Sequence, residues 1–273
     1  MKPLRCLVNG REEGVIDVAN RGLQYGDGLF ETLPIQEGTL LLWPRHLERL
    51  ERSAARLGMT APLDTLTGEA ASLAHGLTLA ILKVMLVRRA DGRGYRPHTR
   101  DVDRILTVWS WPQRPPAQDG AALTWCETRL ARQPRLAGLK HLNRLEQVLA
   151  QQELSEPYWE GLMQDTEDGV IEGTMTNLFI VEKTTLVTPL LDQAGVRGVM
   201  RDCIMVCARD LGLAVREERV TKERVLGADE AFVCNSIIGI CPIASLPGRH
   251  YGDGPVTQAL NLAIREGGYA VRF

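Results

Sequence analysis

The chain has 273 residues, with 32 Lys+Arg against 34 Asp+Glu and a formal net charge of −2. Hydrophobic residues make up 44% and charged residues 24%, the composition of a folded globular protein and not of a disordered chain. The charge balance lacks the basic excess of a dedicated nucleic-acid binder, so no nucleic-acid partner is expected.

The apolar run over 4–8 is too short for a signal-peptide core, and no window approaches ~18 uninterrupted apolar residues. A cytoplasmic protein with no membrane partner is the expectation. Residues 5–8 and 14–18 flank Asn9-Gly10, a strong hairpin signal, and 29–35 and 40–43 flank Glu37-Gly38 in the same way. A helix follows Pro44. Leu47, Leu50, Ala54 and Leu57 recur at helical spacing, the other face carries Arg45, Glu48, Arg49, Arg52 and Arg56, and Gly58 closes it. A second helix is expected over 63–75. Strands are expected over 79–88 and 104–111, separated by the loop Asp91-Gly92-Arg93-Gly94-Tyr95. Residues 112–120 hold Pro112, Pro115 and Pro116 and little to bury, which reads as a linker. It separates a smaller N-terminal domain, 1–111, from a larger C-terminal domain, 121–273.

In the second domain, strands are expected over 121–127, 161–164, 177–182, 185–188, 214–220 and 231–235. Helices are expected over 143–154, 199–211 and 256–266. The first of these is amphipathic, with Leu145, Val148 and Leu149 expected to face inward. The fold class that follows is mixed α/β (α+β) in two domains. The six cysteines form no C-x-x-C pair and read as reduced thiols used as small apolar residues. The five histidines show no metal-binding spacing, so no metal is expected.

Familiar catalytic signatures are missing. Gly26-Asp27-Gly28 is a bare G-x-G that runs into a strand pattern, and there is neither a P-loop nor a G-x-S-x-G elbow. The lysines are more informative, because only five of the basic residues are lysines and arginine stays protonated. Lys2, Lys183 and Lys222 sit in polar or terminal settings. Lys83 shares a strand face with Ile81, Met85 and Val87, and Lys140 follows Leu136-Ala137-Gly138-Leu139 at a strand–helix junction. Either could be a tuned amine, or could snorkel to the surface. Gly195-Val196-Arg197-Gly198 leads into a helix start, which suits an anion, and Asn235-Ser236 offers a hydroxyl at a strand end. A plain αβ turn and an ordinary strand end would look the same.

The stretch from Leu136 through Lys140-His141-Leu142-Asn143-Arg144-Leu145-Glu146 to Leu149 resembles the cofactor-lysine segment of the 4-amino-4-deoxychorismate lyases. These belong to the fold type IV pyridoxal-phosphate enzymes, with the branched-chain and D-amino-acid aminotransferases. Further segments resemble the same family in the same order. They are Tyr25-Gly26-Asp27-Gly28-Leu29-Phe30-Glu31-Thr32, His46-Leu47-Glu48-Arg49-Leu50, Gly92-Arg93-Gly94-Tyr95, Glu172-Gly173-Thr174-Met175-Thr176-Asn177-Leu178-Phe179 and Gly198-Val199-Met200-Arg201-Asp202.

The resemblance implies pyridoxal 5'-phosphate as cofactor, joined to Lys140 as a Schiff base, with Lys140 also moving protons. Glu172 would pair with the pyridine nitrogen. Arg49, the Ser236 hydroxyl and backbone N–H groups near Val199, Met200 and Ile237 would hold the phosphate. The implied substrate is 4-amino-4-deoxychorismate, converted to 4-aminobenzoate and pyruvate, a step of folate biosynthesis. Its two carboxylates need anchors, for which Arg93 is the first candidate and Tyr25 and Asn235 follow. An aminotransferase of the same fold would use the same Lys140 and Glu172, and a non-enzymatic binding protein on this fold is a further alternative. The stretch Ile237-Ile238-Gly239-Ile240-Cys241 departs from the usual aminotransferase pattern. The resemblance also implies a homodimer. Trp109 and Trp111 suit an interface or a core equally.

Overall fold

The computed structural model describes residues 2–12, 14–111, 120–252 and 254–271. The chain divides into two compact units, Met1–Gln113 with Lys140–Asn143, and Arg114–Leu139 with Arg144–Phe273. A boundary drawn from composition puts residues 140–143 in the second domain, whereas their contacts put them in the first unit. Of the expected linker, residues 112–119 lie outside the described residues.

The first unit contains β1 (Arg5–Val8), α1 (Arg21–Tyr25), β2 (Gly28–Gln36), β3 (Thr39–Leu40), α2 (Trp43–Arg56), α3 (Leu63–Ala74), β4 (Leu79–Arg88) and β5 (Val102–Ser110). Its antiparallel sheet has the order β1-β5-β4-β2-β3. Strand alternation sorts β4 cleanly. Ala80, Leu82, Val84 and Leu86 are buried, while Ile81, Lys83 and Met85 are half-buried on the opposite face. Glu31, Leu33 and Ile35 of β2 are buried too, and α2 packs on that strand with Trp43, His46, Arg49, Leu50, Ser53 and Ala54 inward.

Several expectations shift. Asn9 and Gly10 do form a turn, with φ of 51° and 80°, but the return arm is the single residue Arg11 opposite Val8. Residues 14–18 are not a strand and lie exposed, although the outer edge of β1 is open beyond Arg11. The strand after Glu37-Gly38 is only two residues long, since Leu42 turns left-handed (φ 58°) and sends the chain into α2. Trp109 donates its Nε1–H to Thr107 Oγ1 at 2.9 Å, and Trp109 and Trp111 are both half-buried.

Residues 140–142 run antiparallel to the start of β2. Phe30 donates its N–H to the Lys140 carbonyl (2.9 Å), Leu142 donates to the Gly28 carbonyl (3.0 Å), and Leu29 stands opposite His141. This approach needs glycine at 28. A Cβ there would lie 2.5 Å from the Leu86 carbonyl oxygen and 2.7 Å from Leu142 Cδ1.

The second unit contains β6 (Ala121–Trp125), α4 (Leu145–Gln152), β7 (Glu160–Gln164), β8 (Val170–Gly173), β9 (Asn177–Glu182), β10 (Thr185–Pro189), α5 (Val199–Asp210), β11 (Ala214–Glu218), α6 (Lys222–Gly227), β12 (Glu230–Asn235), β13 (Gly239–Leu246), β14 (Arg249–His250) and α7 (Pro255–Glu266). The sheet order is β11-β10-β9-β12-β13-β6-β7-β8, with β14 beside β13. Because β8 also pairs with β9, the strands β9, β12, β13, β6, β7 and β8 close into a ring. Leu123, Leu162, Leu178, Ile180, Val187, Val233 and Ile243 belong to its core. All six cysteines are free thiols, and five of them are buried.

Strands β8 and β13 were not expected from the sequence. Helix α4 also turns the other way. Leu145 is 76% exposed and Leu149 53%, whereas Ala150 is fully buried. Its inner face is small and polar: Ala150 joins a cluster with Met163 and Ile171, and Glu146 accepts the Ala131 N–H at 2.8 Å.

Candidate active site

In the first unit, the sheet delivers Lys140 to Phe30. Its Nζ stands 4.4 Å from the ring centroid, and the Lys83 Nζ stands 5.2 Å from the same ring. Both lysines singled out by composition therefore meet one aromatic side chain. Burial lowers the pKa of Lys83.

Arg49 sits one helical turn after His46, and both reach Glu31. Arg49 donates its Nε–H to Glu31 Oε1 (2.8 Å) and Nη2 to Oε2, and His46 Nδ1 lies 2.6 Å from Oε2. Burial alone would raise the Glu31 carboxyl, but the Arg49 charge and the bonds from His46 and Arg49 outweigh it and hold the pKa at about 2. Burial pushes the His46 pKa down against the pull of Glu31, and its buried Nε2 has no hydrogen-bond partner among the described residues. Sequence reasoning missed Glu31 and His46. Their signal was there: His46 falls on the apolar stripe of α2 defined by Trp43 and Leu50, and Glu31 alternates with Leu29 and Leu33 on the inward side of β2.

Arg93 is exposed, in a loop whose flanking Gly92 and Gly94 have φ of 89° and 99°. Buried Arg21 pins this loop, donating to the carbonyls of Gly94 (2.8 Å) and Tyr95 (3.1 Å) and, through Nε, to Asp27 Oδ2 (2.9 Å). Arg88 donates to the same Asp27 oxygen at 2.9 Å. The Tyr25 hydroxyl accepts the Gly94 N–H at 3.3 Å, and its ring meets Tyr95 edge-on.

In the second unit, Glu172 lies on its own strand, β8, and not at the start of the strand that holds Asn177. It stands opposite Asn177 across the β8–β9 hairpin. Glu172 Oε2 accepts the Val196 N–H (2.8 Å) and a longer bond from Asn177 Nδ2 (3.4 Å). Buried Glu160 holds the turn between the strands, accepting from the N–H groups of Gly161, Thr174 and Met175 and from the hydroxyls of Thr174 and Thr176.

Helix α5 begins at Val199 with Gly198 as N-cap and no side-chain cap bond, so backbone N–H groups of its first turn, which includes Met200, carry the positive end of the helix dipole. Ser236 is half-buried in the turn after β12. Asn235 organises that turn. Its Oδ1 accepts the N–H groups of Ile237 and Ile238 (2.9 Å each), and its Nδ2 donates to the Met175 carbonyl (3.2 Å). The Ile237 N–H thus points at Asn235.

Lys140, Arg49, Tyr25 and Arg93 belong to the first unit, and Glu172, Val199, Met200, Asn235, Ser236 and Ile237 to the second. Within the second unit, hydrogen bonds tie Glu172 and Asn177 to the loop before α5, and tie Asn235 at the end of β12 to Met175 in the β8–β9 turn. Taken unit by unit, the chemistry of these groups fits parts of pyridoxal 5'-phosphate. A carboxylate gripped by N–H donors suits a protonated ring nitrogen, an uncapped helix start suits a phosphate, and a lysine amine suits an aldehyde. Among the described residues, no group of three or more His, Cys, Asp or Glu could hold a metal ion. No described helix is long and apolar enough to cross a membrane.

The family model described as amino-transferase class IV matches residues 28–246. The chain belongs to the class IV aminotransferase family. It is 36% identical over 245 residues to an aminodeoxychorismate lyase of Vibrio harveyi, covering 88% of this chain and 90% of that protein. Among solved structures, a 4-amino-4-deoxychorismate lyase from Pseudomonas aeruginosa matches with a TM-score of 0.92 and 41% identity, over 96% of this chain and 98% of that one. A branched-chain aminotransferase from the archaeon Thermoproteus uzoniensis, solved with norvaline, shares the fold at a TM-score of 0.88 and 24% identity, over 98% of this chain and 95% of that one. The mixed α+β architecture is that of the fold type IV members of this family.

Proposed function

We propose that the chain is a pyridoxal-phosphate-dependent lyase that converts 4-amino-4-deoxychorismate to 4-aminobenzoate and pyruvate. One observation carries the reading: two lyases match almost the whole chain at 36% and 41% identity, against 24–28% for aminotransferases. The segment Lys140-His141-Leu142-Asn143, which pairs with the start of β2, supports it.

Pyridoxal 5'-phosphate, when bound, supplies an electron sink for negative charge that develops at the substrate carbon bearing nitrogen. Lys140 Nζ would hold the cofactor, and its amine is the base that would take the proton from the nitrogen-bearing carbon and return one to the departing enolpyruvyl carbon. Glu172 keeps the pyridine nitrogen protonated. The α5 start at Val199 and Met200, the Ser236 hydroxyl and Arg49 would hold the phosphate, with Glu31 setting the direction of the Arg49 fork, whereas the Ile237 N–H is already bonded to Asn235 Oδ1. Arg93 would anchor a substrate carboxylate, with Tyr25 and Asn235 as the further candidates. One proton leaves and one returns, so no keto acid is consumed.

An assay coupled to lactate dehydrogenase checks this. Pyruvate and 4-aminobenzoate should appear in equal amounts with no added keto acid, and a requirement for keto acid would establish the aminotransferase reading instead. The resemblance also implies a homodimer in the cytoplasm, and exposed Leu145, Val148 and Leu149 of α4 are apolar surface that a second copy would cover.

A further inference from the structure

The peptide at Val196 is held from three sides. Its N–H goes to Glu172 Oε2 (2.8 Å) and its carbonyl accepts from Asn177 Nδ2 (2.8 Å). On the far side, Gly138 donates to the Gly195 carbonyl (2.8 Å) and Arg197 donates to the Gly138 carbonyl (3.1 Å). Asn177 bonds both to Glu172 and to this loop. It is buried, and it fills the space that a side chain at residue 198 would need: a Cβ on Gly198 would overlap Asn177 Oδ1. Gly195 is equally constrained, with φ 85° and a Cβ position 2.6 Å from Ile171 Cγ2. Asn177 thus packs directly against the loop between residue 195 and α5 and shares the Glu172 Oε2 with it, so a shift of Asn177 perturbs both.

We propose that Asn177 is a positioning residue that locks the Glu172 carboxylate to the loop leading into α5, so that ring and phosphate recognition are set by one rigid unit. This rests on the reading of Glu172 as the partner of the pyridine nitrogen. The carboxylate is held at Oε2 by the Val196 N–H and, through a longer bond, by Asn177. Without Asn177 the Val196 carbonyl loses this donor and the loop is released from β9. The carboxylate then loses its orientation although its charge remains.

The test uses apoprotein titrated with pyridoxal 5'-phosphate, following affinity by tryptophan fluorescence and the absorption maximum of the bound cofactor, with circular dichroism to report folding. Asn177→Ala should bind about tenfold more weakly, the size of one hydrogen bond to a charged group. Its absorption maximum should move toward that of Glu172→Gln. Gly198→Ala, which displaces Asn177 from the opposite side, should weaken binding to a similar degree. The double variant should be no worse than either single one, since both break the same lock. If Asn177→Ala fails to fold, Asn177→Ser and Gly198→Ala carry the comparison. Wild-type affinity and spectrum in Asn177→Ala, or strictly additive losses in the double variant, would overturn the proposal. When that happens while Glu172→Gln still shifts the spectrum, only the positioning role falls. A Glu172→Gln protein identical to wild type defeats the underlying reading of Glu172, and the role of Asn177 with it.

Discussion

Glu31 shows what a single buried carboxylate does in this chain. It binds Arg49 through two bonds and touches His46, with almost no exposure to water. Removing one partner of such a pair leaves the other charge buried and uncompensated. Glu31→Gln should lose about 3–5 kcal/mol in urea unfolding at neutral pH. Its folded pKa of about 2 lies below the ordinary 4.5, so its contribution is fully present above pH 4.5 and is lost as pH falls toward 2. The Glu31→Gln variant should accordingly show a flatter loss of stability between those pH values than wild type. Scarce lysines and apolar neighbours narrow the amine candidates to Lys83 and Lys140, and the family resemblance selects Lys140. Glu31 was not legible in that way, because a glutamate inside a strand pattern reads as an outward residue until its arginine is known.

At the scale of elements, the sequence reports periodicity better than direction. The 3.6-residue spacing of Leu145, Val148 and Leu149 is real, and it marks a helix, but that stripe faces outward while Ala150 packs inward. Periodicity says which residues share a face and leaves open which face the rest of the fold covers. Strand β8 escaped notice for a related reason: four residues, Val170–Gly173, are too few to display alternation. Its hairpin with β9 depends on Glu160, whose carboxylate receives five donors from Gly161, Thr174, Met175 and Thr176. Burial pushes the Glu160 carboxyl above its ordinary value, and those bonds pull it back. Glu160→Leu would strand those donors, at a cost of at least about 3 kcal/mol. The check is the urea midpoint, which should fall with an unchanged slope, while Glu160→Gln, keeping one acceptor, should lose less.

For the whole molecule, the chain path matters more than either sheet. Residues 140–143 leave the second unit, pair with β2 and return, so the Lys140 backbone belongs to a different body from the residues on both sides of it. Composition offers the proline-rich stretch over 112–120 as a divider, whereas nothing in the composition of residues 140–143 marks a change of unit. A ligand that binds the folded chain and not the unfolded one adds to its stability. At a hundredfold excess over its dissociation constant the gain is about 2.7 kcal/mol, or about 5 °C in melting temperature for a chain of this length. Stripping pyridoxal 5'-phosphate should lower the calorimetric midpoint by about that much, and adding it back should restore it. The closed ring of six strands has a separate consequence. A ring has no edge, so the second unit offers open backbone at the two-residue β14 and along β11, where three of the five residues, Arg216, Glu217 and Glu218, are charged. Such an edge repels a docking strand. The second unit's sheet is thereby protected from edge-to-edge pairing, and added strand-forming peptides should not pair with it even when the cofactor is gone.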